Sequence, residues 1–366
     1  MNETGGLSSA CPTEPNPSTG LEPAKKKRLF YLDFVRALSV LLILLTHFNN
    51  PFFTAEGWII TNHPFHIYVG DLGVSLFLMI SGTALTVTYR RPLDLKLFFK
   101  KRFLGIYPMF WIAYAVFFTL RLLAYGDGLG PLPYRSLPLT FIAMDGLVAN
   151  FGVPTMYLLG EWFLGFIVIF YLVFPLMLWG VQEHPWVTAV LGLGIYAAAM
   201  IFWQLHPLPY ATAVLLPFRL PELLFGMYFA TYWKQVSPWA LIPAVGILGI
   251  AAFWFAQVPD RLAVTLVGIS AFTVLVFIGK YMEVWGVTQI VNWISKYSYA
   301  IFLVHHVIIA EAFNRFPIQD FSQGWKYVAF LVLCLLSGAV GFVLFHVHRL
   351  IMSLIRKIRR QARSAS

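Results

Sequence analysis

Long apolar runs, each near the length of a bilayer crossing, alternate with short polar interruptions along most of the chain. A helix spanning the hydrocarbon core needs about 20 residues. On that measure the pattern predicts ten spanning helices, at 30–49, 69–89, 103–124, 156–180, 186–204, 211–233, 238–256, 261–279, 294–313 and 327–349. An apolar but short stretch at 138–150 reads as a re-entrant or interfacial element. Membrane β-barrels show a different pattern, with short segments of alternating polarity. The expectation is an all-α polytopic membrane protein in three parts. A polar, disordered tail covers 1–28, a transmembrane domain 29–350, and a basic tail 351–366.

Composition strengthens this reading. Of 366 residues, 59% are hydrophobic and only 11% charged, with a mean hydropathy of +0.73. A soluble domain carries roughly 25% charged residues. The formal charge of +10 is concentrated in three clusters. Lys25 to Arg28 precede the first span, Arg90 to Arg102 fill a loop after the second, and Arg349 to Arg363 follow the last. Cytoplasmic loops collect Lys and Arg, so an even number of spans puts all three clusters and both termini in the cytoplasm. The charge then reflects topology and anionic lipid, and no nucleic-acid partner is expected. Cys11 in the tail and Cys334 in a span imply no disulfide framework.

Polar residues at membrane depth are the candidate chemistry, because ionisable groups there are expensive and usually functional. The first span carries Asp33, Arg36 and His47. Arg36 and His47 are eleven residues apart, about three turns, so they project from nearly one face. Asp33 lies one turn before Arg36 and can orient it. At 1.5 Å per residue, Arg36 and His47 stand roughly 16 Å apart, two stations along a path rather than one dyad. Histidine serves as a general base near neutral pH, and a nearby cation steadies an anion. Further polar positions are Ser81 in Gly73–Gly82, Glu161 before Trp162, the Arg219/Glu222 pair around Pro221, and His305-His306. Read alone, the Gly73–Gly82 run is helix packing and Arg219/Glu222 is mutual neutralisation. Adjacent histidines on a helix point two ways, and no spacing matches a metal site.

These segments together resemble acyltransferase family 3, integral-membrane enzymes that O-acylate cell-surface polysaccharides and related glycans. The resemblance rests on Asp33-Phe34-Val35-Arg36, the Arg-x10-His spacing to His47, and Gly73-Val74-Ser75-Leu76-Phe77-Leu78-Met79-Ile80-Ser81-Gly82. It continues in Ile106-Tyr107-Pro108, Glu161-Trp162-Phe163-Leu164, the run 220–226, and Tyr297-Ser298-Tyr299 through His305. Six motifs in the family's order cover almost all of 30–350. The resemblance implies His47 and Arg36 as essential residues, with Asp33, Ser81, Glu161, Arg219, Glu222 and His305 supporting an acceptor cavity. Acyl-CoA, most often acetyl-CoA, would be a cytosolic co-substrate met by Lys100, Lys101, Arg102 and Tyr107, with no tightly bound cofactor. The family's Arg-x-x-Arg reads Arg102-Phe103-Leu104-Gly105 here, so neighbouring lysines stand in for the second arginine. The acceptor would be a glycan or lipid-linked sugar at the cell membrane, and a homo-oligomer is left open. A transporter or flippase of such a glycan is the main rival reading, and a non-catalytic scaffold the second.

Overall fold

The computed structural model describes residues 29–49, 57–89, 91–126, 133–160 and 162–364. Among them are twelve α-helices and no strand. The tail 1–28, Arg90 and Glu161 lie outside the described residues.

The inner helices are α1 (Phe30–Phe48), α2 (Val69–Thr88), α10 (Asp260–Gly279) and α11 (Trp285–Arg315). Around them lie α3 (Leu95–Tyr125), α6 (Trp162–Glu183), α7 (Pro185–Leu205), α9 (Leu241–Trp254) and α12 (Gln323–Ser364). Burial separates the two groups: α2 is 83% enclosed by protein, α7 only 11%. An apolar side chain left outward on α7 suits hydrocarbon, so its exposed Trp186, Val190 and Leu191 need no protein partner.

Eight helical segments among the described residues are long and apolar enough to cross a membrane: α1, α2, α3, α6, α7, Pro238–Gln257 around α9, α10 and α12. Two expected spans do not qualify. The stretch 211–233 is broken into short 3-10 turns, α8 (Leu220–Tyr228) and one π-helical turn at Phe229–Trp233. Pro217 and Pro221 each remove a backbone donor and prevent one continuous helix. The span at 294–313 lies within α11, which is 31 residues long but dilutes its apolar residues with Lys296, His305, His306 and Glu311.

Two other segments differ from expectation. The basic loop expected before residue 103 is helical from Leu95, because Asp94 caps α3 by accepting from the Leu97 amide at 2.9 Å. Residues 138–150 form two short helices, α4 (Leu137–Phe141) and α5 (Asp145–Ala149), joined by Ala143 at φ 59°. At the other end, the basic segment after residue 350 continues α12 to Ser364. The 42 residues of α12 measure about 63 Å, twice the hydrocarbon thickness.

The bundle has two ends. Leu29, Val87, Arg91, Glu183, Lys234 and Lys280 border one cavity, so the start of α1 lies with the ends of α2, α6 and α10. This is the near end. At the far end, the Tyr125 hydroxyl near the end of α3 donates to Glu311 on α11 at 2.9 Å. Asn49, just past α1, accepts from the Trp58 and Ile59 amides and donates to the Ile60 carbonyl, fixing the following loop.

Candidate functional site

The inward face of α1 builds the site from the near end. Arg36 donates through Nη1 to Asp33 Oδ1 at 2.8 Å and to Ser295 Oγ at 2.9 Å, while the Ser295 hydroxyl donates to the same carboxylate oxygen. This triangle ties α1 to α11 and holds the guanidinium in one place. From α3, Arg102 donates Nη2 to the Tyr89 hydroxyl at 3.1 Å. Its guanidinium lies 5.4 Å from the Tyr89 ring centre and 5.6 Å from that of Tyr171, a geometry that stabilises a cation on aromatic faces. Arg102 Nε is buried with no hydrogen-bond partner.

Toward the far end, His47 sits against both α11 histidines. Its ring centre is 4.9 Å from that of His305 and 4.9 Å from that of His306, each pair edge to face. Sequence spacing sends His305 and His306 in different directions, but α1 crosses the boundary between those two directions. His305 Nδ1 lies 2.8 Å from the Phe302 carbonyl and 3.2 Å from that of Ile301, so Nδ1 carries the hydrogen. His305 Nε2 is then an acceptor, buried and without a partner.

These stations share one space. A cavity of about 310 Å³ is lined by Arg36, Arg102, Ser81 and His47, with aromatic walls from Phe163, Tyr171 and Tyr299. Its described lining has two guanidinium groups and no carboxylate, so it favours an anion or a polarised carbonyl. Gly105, in the place of the family's second arginine, also lines it, and a Cβ there would meet nothing within 4 Å.

Other expected site residues lie elsewhere. Lys100 and Lys101 are exposed and do not border the cavity, whereas Arg102, next to them on the same turn of α3, is part-buried and does. Tyr107 is half-buried and donates its hydroxyl to the Ile142 carbonyl at 3.1 Å. Arg219 and Glu222 do not border the cavity. They belong to a buried ion cluster with Asp71 and Arg261, on α2 and α10. Arg219 pairs with Asp71 and, at 3.4 Å, with Glu222, while Arg261 donates to both Asp71 oxygens at 3.1 and 2.7 Å. Asp71 and Arg261 went unread in the sequence, although each is an ionisable residue inside an expected span and visible on that ground alone. Ser295 was also missed, and His306, read only as half of an adjacent histidine pair, was not placed beside His47; no spacing marks either contact. Among the described residues, no group of three or more His, Cys, Asp or Glu side chains is placed to hold a metal ion.

A helical bundle with eight membrane-length helices among the described residues, around a cationic, histidine-bearing cavity, is the architecture of an integral membrane protein. The acyltransferase domain of acyltransferase family 3 matches residues 29–347, and the chain belongs to that family. It is similar to Acyltransferase MdmB of Streptomyces mycarofaciens, 24% identical over 357 residues, covering 88% of this chain and 89% of that relative. No solved structure matches.

Proposed function

We propose that the protein moves an acyl group, acetyl first among candidates, from acyl-CoA at the near end to a hydroxyl of a glycan or lipid-linked sugar at the far end. In this reading the chain crosses the cell membrane ten times, α8 with its π turn and α11 completing the set. Both ends of the chain and the near end of the bundle face the cytoplasm, as the clusters of Lys and Arg favour. The observation that carries the reading is the single cavity shared by Arg36, Arg102 and His47.

The chemistry follows from these positions. Arg102 and Arg36 attract the phosphorylated donor and hold its thioester, with Lys100 and Lys101 raising the local positive potential outside. His47 removes the acceptor hydroxyl proton as its oxygen attacks the thioester carbonyl. The C–O bond forms and the C–S bond breaks to release CoA thiolate, while Arg36, three helical turns nearer the near end, keeps hold of the anionic donor behind the reacting carbonyl. The thiolate takes up the proton held on His47, completing an ester and free CoA. Asp33 and Ser295 keep Arg36 aimed, and His305 fixes the His47 ring edge-on.

The test is acyl transfer by purified protein, reading label moved from radioactive acetyl-CoA into a glycan extract of the native cells. General-base assistance contributes about 10²–10⁴-fold. His47→Ala is expected to lose transfer by that factor while its unfolding midpoint stays close to the parent's. Undiminished transfer in the variant would exclude His47 as the base. A parent protein that releases no CoA would instead favour transport.

A further inference from the structure

A second cavity lies at the far end, outside the chamber already described. It measures about 460 Å³, within the range of small-ligand sites. The end of α3 supplies Arg121 and Tyr125, α11 supplies His306, Glu311 and Asn314, and the loop before α6 supplies Tyr157 and Gly160. Among the described residues, Gly160 is the one that borders both this vestibule and the inner cavity. His47, which lines the inner cavity, meets His306, which lines the vestibule, with ring centres 4.9 Å apart. Gly160 holds φ 75°, and a Cβ on it would stand 2.7 Å from His306 Cγ. Only glycine lets the loop approach the ring so closely.

The vestibule's chemistry is mixed in a way that selects a ligand class. The Glu311 carboxylate accepts from the Tyr125 hydroxyl at 2.9 and 3.0 Å and from Arg315 Nε at 3.2 Å. Glu311 is thereby fixed as an acceptor, with Arg121 on the facing helix as a donor. Among the described residues, the Arg121 guanidinium and Asn314 amide make no hydrogen bond, so both can offer theirs to a ligand. A polyanion would be opposed by Glu311 and a cation by Arg121. A neutral group with many hydroxyls meets donors and acceptors together, and the tyrosine rings suit the C–H faces of a sugar.

We propose that this vestibule is the acceptor subsite and binds a neutral glycosyl unit, presenting one hydroxyl past Gly160 and His306 to His47. The proposal rests on the acyltransferase reading and adds where the acceptor sits, which residues meet it and that the unit they meet is uncharged. Loss of a hydrogen bond to a charged group is worth roughly a tenfold change in affinity.

Its test uses membranes bearing the full chain, radioactive acetyl-CoA, and the native glycan extract titrated as acceptor. Glu311→Gln and Asn314→Ala are each expected to raise the apparent KM for the extract by about tenfold, with the KM for acetyl-CoA unchanged. A second measurement needs no turnover. Asn314→Cys, made in a chain carrying Cys11→Ser and Cys334→Ala, is labelled with a membrane-impermeant maleimide, and the extract is expected to slow labelling. Unchanged acceptor KM in both variants, or labelling indifferent to the extract, overturns the vestibule. Absence of transfer in the parent protein would instead overturn the acyltransferase reading beneath it, so the two failures are told apart.

Discussion

Two regions of this protein bury several charges at membrane depth, and they are built in opposite ways. In the cluster of Asp71, Arg219, Glu222 and Arg261, opposite charges meet directly, and none of the four borders the cavity. In the chamber, Arg36 and Arg102 are anchored from behind, by Asp33 and Ser295 or by Tyr89, while their fronts border open volume. The contrast separates charge that fixes helices from charge that awaits a ligand. An intramembrane ionisable residue is a functional candidate by default, but the presence of empty space beside it decides which kind it is.

The comparison can be broken at several points. The largest effect is expected from Arg219→Leu, which strands Asp71 and Glu222 with one fewer cation between them. Removing one partner of a buried ion pair costs about 3–5 kcal/mol, so the yield of folded protein and its thermal midpoint should fall sharply. Transfer per folded molecule should be kept; a selective loss of activity at full stability would move Arg219 into the chamber's machinery. Next comes Arg36→Lys, which keeps the charge but loses the planar fork that joins Asp33 and Ser295. Losing that charged contact to the donor is expected to raise the KM for acetyl-CoA about tenfold, and initial rates across a range of acetyl-CoA concentrations check this. Ser295→Ala removes only a brace, with about 1 kcal/mol expected in stability and a correspondingly small loss of rate.

The smallest effect lies outside both regions, at Asp145 in α5. Burial raises its carboxyl pKa above the usual carboxylate range, although the Thr140 hydroxyl, donating at 2.7 Å, partly opposes this. Its Oδ1 is buried without a partner. A raised pKa means the folded state holds the proton more tightly than the unfolded chain, so ionisation at neutral pH weakens folding and acid relieves the cost. Asp145→Asn should therefore raise the unfolding midpoint at pH 7, with the gain shrinking as pH falls through the carboxyl's range. Thermal scans of parent and variant across pH 4–8 check the sign; a gain that grows in acid would reverse it.

Much of the helical frame could be read from apolar run length alone, because hydrocarbon imposes that length on any spanning segment. Where proline or polar side chains intrude, run length fails. Pro217 and Pro221 break one expected span, and α11 stays helical for 31 residues despite its lysine and histidines, since protein rather than lipid surrounds much of it. Within the site, Asp33, Arg36 and His47 were legible because one helix's periodicity places them together. Ser295 and Tyr171 were not, nor was the contact of His306 with His47, because they meet α1 or α3 only through tertiary packing. The same limit applies to the ion cluster. Arg219 and Glu222 are three residues apart and readable as a pair, but Asp71 meets Arg219 across 148 positions and Arg261 meets Asp71 across 190.

The central claim is that one chamber joins a donor entering at the near end to an acceptor waiting at the far end. Sidedness tests it most directly. Sealed inverted vesicles, with the cytoplasmic face outward and native glycan enclosed, are given radioactive acetyl-CoA from outside. The account predicts that label appears on the enclosed glycan, and that it does not in vesicles carrying His47→Ala. Label appearing only when donor and glycan share one face would contradict it.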